Sequence, residues 1–347
     1  MSMIYFNDGG AFDPSANKYV RSIYAIDTSE ELPVGKMALP DSPVYGPAAV
    51  SFDGGIYAQA LDLTVGSSVA ILDFGNNSQK SVAYNPDGQQ TKGAGFAIDG
   101  RLVVCTALTV ATFMPPYDEV VERDLPFAVD GFVLYPDGSK AVLLQSPATA
   151  YICDMETLSV GTPINLLQDE GSSVEFNTLT IASDGTKFGI STDYSQSSAM
   201  GLFDGLTGDY LGKTGSMAAQ SAGYFLSTNT RLVYQSEDKE SLVIFDLSTA
   251  LESLVPLSEL DDDPPYSYGY DYSLRGTDEG GYAVLDYYGS LRRVSLEDGS
   301  VAATPKTYIE ANGDTLVQPI GGPSVETLRY FWTGFLKSYE NPVIVTS

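Results

Sequence analysis

Hydrophobic residues in this chain fall into short runs bounded by turn-forming residues, and the pattern returns about every 45 residues. Residues 132–154, FVLYPDGSKAVLLQSPATAYICD, show the unit best. One apolar run leads into an Asp-Gly turn, a second follows, and a third ends in Asp. The turn recurs as Asp53-Gly54, Asp99-Gly100, Asp137-Gly138 and Asp184-Gly185, with weaker copies at Asn229-Thr230 and from Asp278 to Gly281. Asp and Gly tolerate the positive φ of a tight turn, so apolar runs flanking Asp-Gly predict paired antiparallel strands. Second strands read IYAQAL (56–61), RLVVCTAL (101–108), KAVLLQS (140–146), KFGIST (187–192) and RLVYQS (231–236). Third strands close on Asp73, Asp154, Asp204 and Asp246, and short fourth strands follow, as in KSVAY (80–84) and SLVPL (253–257).

The first 40 residues form a unit that lacks its first strand: MIYFN (3–7), RSIYAID (21–27) and VGKMAL (34–39) read as strands two to four. Six full units start near residues 47, 94, 131, 177, 221 and 268, and the missing strand is expected from 315–347. The expected fold is therefore all-β: a seven-bladed ring of four-stranded antiparallel blades, with a closing blade shared by the N- and C-terminal segments. The stretch from YPDGSKAVLL to YICDMETLSVGTPINL (135–166) resembles a repeat of the YVTN/WD40-like β-propeller superfamily. The resemblance runs along nearly the whole chain and implies architecture only, because propellers host many unrelated functions. One domain spans 1–347, with 1–40 and 306–347 as the closing blade. The second of these exceeds what one strand needs, so it has room for an added strand, hairpin or docking arm.

Composition narrows the chemistry. There is no His, which removes the commonest general base and metal ligand. Lactonase-type propellers of the resembled superfamily use catalytic His and Arg, so that activity does not carry over. The arginines are scattered, no Ser-x-Asp-x-Gly-x-x-Trp box occurs, and the single Trp, Trp332, cannot build a quinone-binding ring. No enzymatic activity and no cofactor are expected. The net charge of −27 repels nucleic acid and anionic membrane surfaces and favours a basic partner. No apolar run is long enough to span a bilayer, and MSMIYFNDGG lacks the basic start and apolar core of a signal peptide. The expected location is a virion or the cytoplasm. Cys105 and Cys153 fall on strands of different units and read as buried apolar thiols.

The Asp residues that end third strands recur at one structural position and read as turn formers that bond their own backbone. Metal is not expected: Asp8 with Asp13 reads as a loop, and the carboxylates of Asp261, Asp262 and Asp263 diverge, although a hard cation there remains an alternative. The segment LDDDPPYSYGYDYSLRG (260–276) departs most from the repeat. Asp261, Asp262, Asp263, Tyr266, Tyr268, Tyr270 and Tyr272 make it a candidate binding surface, since Tyr offers rigid contact area with a polar tip. The alternate tyrosines also fit one face of a first strand. In FMPPYDEVV (113–121), Tyr117 belongs to a proline-aromatic loop that replaces the usual Asp ending and is a second candidate contact.

The leading expectation is a structural or interaction propeller in a large assembly, such as a phage virion (tail, neck or receptor-contacting accessory). His-free, Lys-poor, Tyr- and Gly-rich all-β chains are familiar among phage structural proteins. Its partners would be other virion or assembly subunits, with a glycan or receptor as a further candidate. The alternatives are a soluble cellular protein-binding propeller and a carbohydrate-binding or Asp-based glycan hydrolase propeller.

Overall fold

The computed structural model describes residues 2–7, 11–13, 18–20, 22–27, 33–40, 44–51, 55–62, 67–84, 90–145, 149–166, 175–193, 199–217, 223–226, 229–238, 240–257, 272–277, 282–287, 290–297, 299–300, 309–311, 314–316 and 344–346. Among the described residues all regular structure is β, with no helix.

Five consecutive meanders of four antiparallel strands form the body. Sheet 2 comprises Val44–Val50, Ile56–Asp62, Ser67–Asp73 and Ser78–Tyr84. Sheet 3 comprises Thr91–Phe96, Leu102–Thr106, Thr109–Phe113 and Val120–Asp124. Sheet 4 comprises Gly131–Leu134, Lys140–Gln145, Thr149–Asp154 and Ile164–Asn165. Sheet 5 comprises Glu175–Ile181, Lys187–Asp193, Met200–Asp204 and Tyr210–Lys213. Sheet 6 comprises Tyr224–Phe225, Arg231–Gln235, Ser241–Asp246 and Glu252–Pro256. Strand order in each follows the sequence, as the spacing of turns predicts.

The flanking sheets differ. Sheet 1 orders Ile344–Thr346, Ser2–Asn7, Ser22–Asp27 and Pro33–Ala38. Its first strand comes from the far end of the chain and pairs Ser2 with Thr346 and Ile4 with Ile344. Sheet 7 shows three strands, Tyr272–Thr277, Tyr282–Tyr287 and Ser290–Ser295. Two short hairpins stand apart: Ala11–Asp13 with Lys18–Val20, and Ile309–Ala311 with Asp314–Leu316. They approach one another. The first hairpin interrupts sheet 1 between its second and third strands, an insertion that the repeat spacing does not reveal.

Sheets pack face to face, and the first strands of sheets 2 to 7 lie next to one another in sequence order. An apolar core fills each successive gap. Ile23, Met37 and Tyr57 meet between sheets 1 and 2. Phe113, Tyr84 and Phe96 meet between sheets 2 and 3, and Val103, Phe132 and Leu143 between sheets 3 and 4. Phe188 and Phe203 sit beside Val133 and Val142 between sheets 4 and 5. Tyr234, Met200 and Met217 fill the gap to sheet 6, and Val294 with Leu296 packs sheet 7 onto sheet 6. A middle strand is thus covered on both sides. That is why Leu102–Thr106 is buried at every residue and reads as a continuous apolar run rather than an alternating one. The fourth strand of the same sheet, VVERD, faces water and is polar.

Cys105 and Cys153 share the core between sheets 3 and 4, both buried and unbridged. Burial pushes the Cys105 thiol well above its ordinary range, and it pushes Cys153 to about 11, so both are neutral apolar fillers.

Candidate functional site

In a meander, the turns joining strand one to two and strand three to four lie at the same end. Those turns form one face of the molecule, and Asp side chains shape both kinds. In the first kind, Asp99, Asp137 and Asp184 each accept a hydrogen bond on Oδ1 from the backbone N–H two residues on, at 3.0, 2.9 and 2.9 Å. The glycine after each has φ between +70° and +85°, the region only Gly enters at no cost.

In the second kind, the last residue of the third strand organises the turn. Asp154 Oδ1 accepts from the N–H of Thr157 at 2.7 Å, its hydroxyl at 2.8 Å, and the N–H of Glu156 at 3.1 Å. Asp204 repeats this with Leu206 and Thr207, and Asp246 with Ser248 and Thr249. These bonds favour the ionised form, so all three carboxyls are held below their ordinary range, Asp246 at about 2. The turn-forming role expected of these residues is what the structure shows at Asp73, Asp154, Asp204 and Asp246. In sheets 2 to 7 the fourth residue after the third strand has positive φ, whatever its identity: Asn77, Tyr117, Leu158, Gly208, Ala250 and Gly299.

Bonds between neighbouring sheets tie this face together. The Ile98 N–H donates to Pro136 O, and the Ser183 N–H to Asn229 Oδ1 at 3.0 Å. The Tyr135 hydroxyl donates to Gly205 O, and burial raises its pKa well above the ordinary value. The Arg123 guanidinium donates to the carbonyls of Met155 and Glu156.

An opening breaks the described part of this face. Between sheets 2 and 3 lies a cleft of about 690 Å³. Its apolar wall comes from Ile56, Ile71, Ile98, Pro115, Pro116 and the ring of Tyr117, and Asp73, Ser78 and Lys80 supply polar groups. In sheet 3, Phe113 stands where sheets 2, 4, 5 and 6 carry Asp and sheet 7 carries Ser295, and Met114-Pro115-Pro116-Tyr117 replaces the capped turn. The Tyr117 ring is buried edge-on to Phe96, with centroids 6.2 Å apart, and its hydroxyl donates to Gly100 O at 2.8 Å. The Tyr117 ring therefore forms part of the cleft wall. The Lys80 ammonium donates to Pro116 O and to Asp118 Oδ1, the latter at 2.7 Å, clasping sheet 2 to the turn of sheet 3.

The other sequence candidates do not join this site. Asp261, Asp262, Asp263, Tyr266, Tyr268 and Tyr270 lie outside the described residues, as does Asp8. Tyr272 opens the first strand of sheet 7, paired with Tyr287. Asp13 ends the first inserted hairpin, opposite Lys18. Among the described residues no group of three or more acidic or Cys side chains is placed to share a metal ion. What sequence reading missed is the set of apolar residues exposed on the turn face: Ile98, Met114, Leu206 and Leu251, from 51% to 71% exposed. The signal was there, since each is a large apolar residue within a turn between strands.

Antiparallel four-strand sheets stacked face to face, with their first strands adjacent, define a β-propeller. The hydrazine synthase of Kuenenia stuttgartiensis shares this fold with a TM-score of 0.56 at 16% identity, over 74% of this chain and 78% of that one. The Cps50 (Swd1) β-propeller domain of Myceliophteria thermophila superposes with a TM-score of 0.57 at 11% identity, over 77% and 87% of the two chains. No protein-family model matches the sequence, and no curated protein matches it. Identities this low carry the fold and not the activity.

Proposed function

We propose that this chain is a non-enzymatic interaction propeller, a subunit of a larger assembly that docks a basic partner through the turn face. The observation that carries this reading is the series of turns at Asp154, Asp204 and Asp246. Their carboxylates are fixed by their own backbone, stay ionised, and stand beside exposed Leu206 and Leu251. Charge ordered before binding adds no ordering cost on association, and exposed apolar side chains set among charges are the makings of an interface. A net charge of −27 favours encounter with a basic surface.

In the same proposal the ring has seven YVTN-like blades, sheet 1 being the one that joins the chain ends. The assembly is a virion, in which a His-free disc serves as a tail, neck or accessory component. Sedimentation of the native source, with the chain followed by mass spectrometry, tests this. Co-sedimentation with particles of megadalton size is the expected result, and migration as a free 37.1 kDa protein contradicts it.

A further inference from the structure

The geometry points to the cleft between sheets 2 and 3 as the seat of one large apolar side chain, leucine or larger, presented by a lysine- or arginine-rich segment of a partner protein. This rests on the reading of the turn face as an interface and names where the partner anchors.

Three observations converge on that occupant. The first is size and lining: about 690 Å³ is ample for a bulky side chain and its backbone, and the wall is built from Ile56, Ile71, Pro115 and Pro116. The second is the lip. Ile98, which lines the cleft, is 71% exposed, so an apolar side chain stands at the mouth, where water alone is a poor neighbour, and Met114, next in the chain to the lining Pro115, is 51% exposed. The third is charge. Asp73 lines the cleft, and Asp99, Asp118 and Glu119 belong to the turns around it. Two cations beside the mouth are already engaged: Arg101 with Asp99 and Lys80, from the fourth strand of sheet 2, with Asp118, each at 2.7 Å. The mouth is thus net negative with its own cations taken, which complements a basic segment and disfavours an acidic one.

The walls are also held open. Tyr117 is pinned by its bond to Gly100 O, and Lys80 fixes the Pro116 carbonyl from the opposite sheet. A cleft that neither neighbouring sheet can close keeps its shape for a ligand.

The test uses the full-length protein and three synthetic probes: a lysine-rich peptide with one central leucine, the same peptide with alanine at that place, and a glutamate-for-lysine counterpart. Affinities are read by fluorescence anisotropy at low and high salt. The leucine peptide should bind at least about tenfold more tightly than the alanine peptide, as burying one such side chain implies, and the glutamate peptide should not bind. Ser78→Trp places an indole in the cleft from an exposed rim position and so obstructs it, and Ile98→Ser removes the lip without changing charge. Each should erase the preference for leucine, whereas Leu254→Ser on the outer strand of sheet 6 should leave it intact.

Equal binding of the leucine and alanine peptides, or a preference that survives Ser78→Trp and Ile98→Ser, overturns the cleft as the seat. If that happens while the chain still co-sediments with a particle, only the anchor is wrong. If the chain migrates as a free monomer, the interface reading falls as well.

Discussion

Replacing Gly205 with alanine should be among the most damaging small changes in this chain. Gly205 follows Asp204 in the turn that closes the third strand of sheet 5. A Cβ there would lie 2.1 Å from the Gly185 carbonyl oxygen and 2.8 Å from the Thr186 carbonyl carbon, both backbone atoms of the neighbouring turn. Neither is the end of a flexible side chain, so the two turns must separate. Overpacking of this kind costs about 1–3 kcal/mol. Separation also strains the Gly205 N–H to Thr186 O bond of 2.7 Å and the bond that Tyr135 donates to Gly205 O. At about 1 kcal/mol net for a hydrogen bond, losing about half of each of these two bonds brings the total to about 2–4 kcal/mol. With a urea slope of about 3 kcal/mol/M, the unfolding midpoint should fall by about 1 M. Tyr135→Phe alone should cost about 1 kcal/mol. In the double variant the two losses should sum to less than their separate values, because Gly205→Ala already displaces the acceptor that Tyr135 uses. A Gly205→Ala midpoint within about 0.2 M of the parent, or strict additivity, would refute this account of how sheets 4 and 5 join on the turn face.

Other consequences concern single residues. Ala250 is exposed and sits at φ +55°, a region that costs a non-glycine residue about 1–2 kcal/mol. After the extra chain entropy of glycine, Ala250→Gly should stabilise by about 0.5–1 kcal/mol in urea unfolding. Asp154, Asp204 and Asp246 have folded pKa values below their unfolded ones. Their stabilisation is therefore fully present above about pH 4 and lost as pH falls toward about 2, the folded value of Asp246. The urea midpoint of the parent should drop more steeply across that window than that of Asp246→Asn. Cys153, at about 11, holds about one thiolate in a thousand at pH 8 and is buried with Cys105. Neither thiol should react with a disulfide reagent in the folded protein, and both should react in denaturant; rapid labelling of the native chain would contradict the packing between sheets 3 and 4.

Much of the strand order was readable because a strand covered on both sides leaves an unbroken apolar run, as in RLVVCTAL, and Asp-Gly marks where the chain reverses. The turn carboxylates were readable too, since those of Asp154, Asp204 and Asp246 accept from residues two and three positions on in sequence. What was not readable depends on distant contacts. Tyr117 read as a candidate contact in a proline-aromatic loop, and nothing local says that its hydroxyl reaches Gly100, 17 residues back. The Phe113 turn looked irregular because its Asp is absent, yet Tyr117 takes the same positive-φ place as Ala250 and Gly208. Backbone geometry was retained there while the sequence mark was lost. The cleft arises from two sheets that meet through Lys80 and Pro116, 36 positions apart, which no periodicity encodes. The hairpin Ala11–Asp13 with Lys18–Val20 is too short to stand out from a loop.

The central claim is that the partner sits on the turn face. Zero-length carbodiimide cross-linking of the native assembly joins carboxylates directly to lysine amines and reads the docking surface by mass spectrometry. Links from partner lysines should concentrate on Asp99, Asp118, Asp137, Asp154, Asp204 and Asp246. Links falling instead on Asp130, Glu237, Asp238 and Glu240, at the opposite end of the sheets, would contradict it.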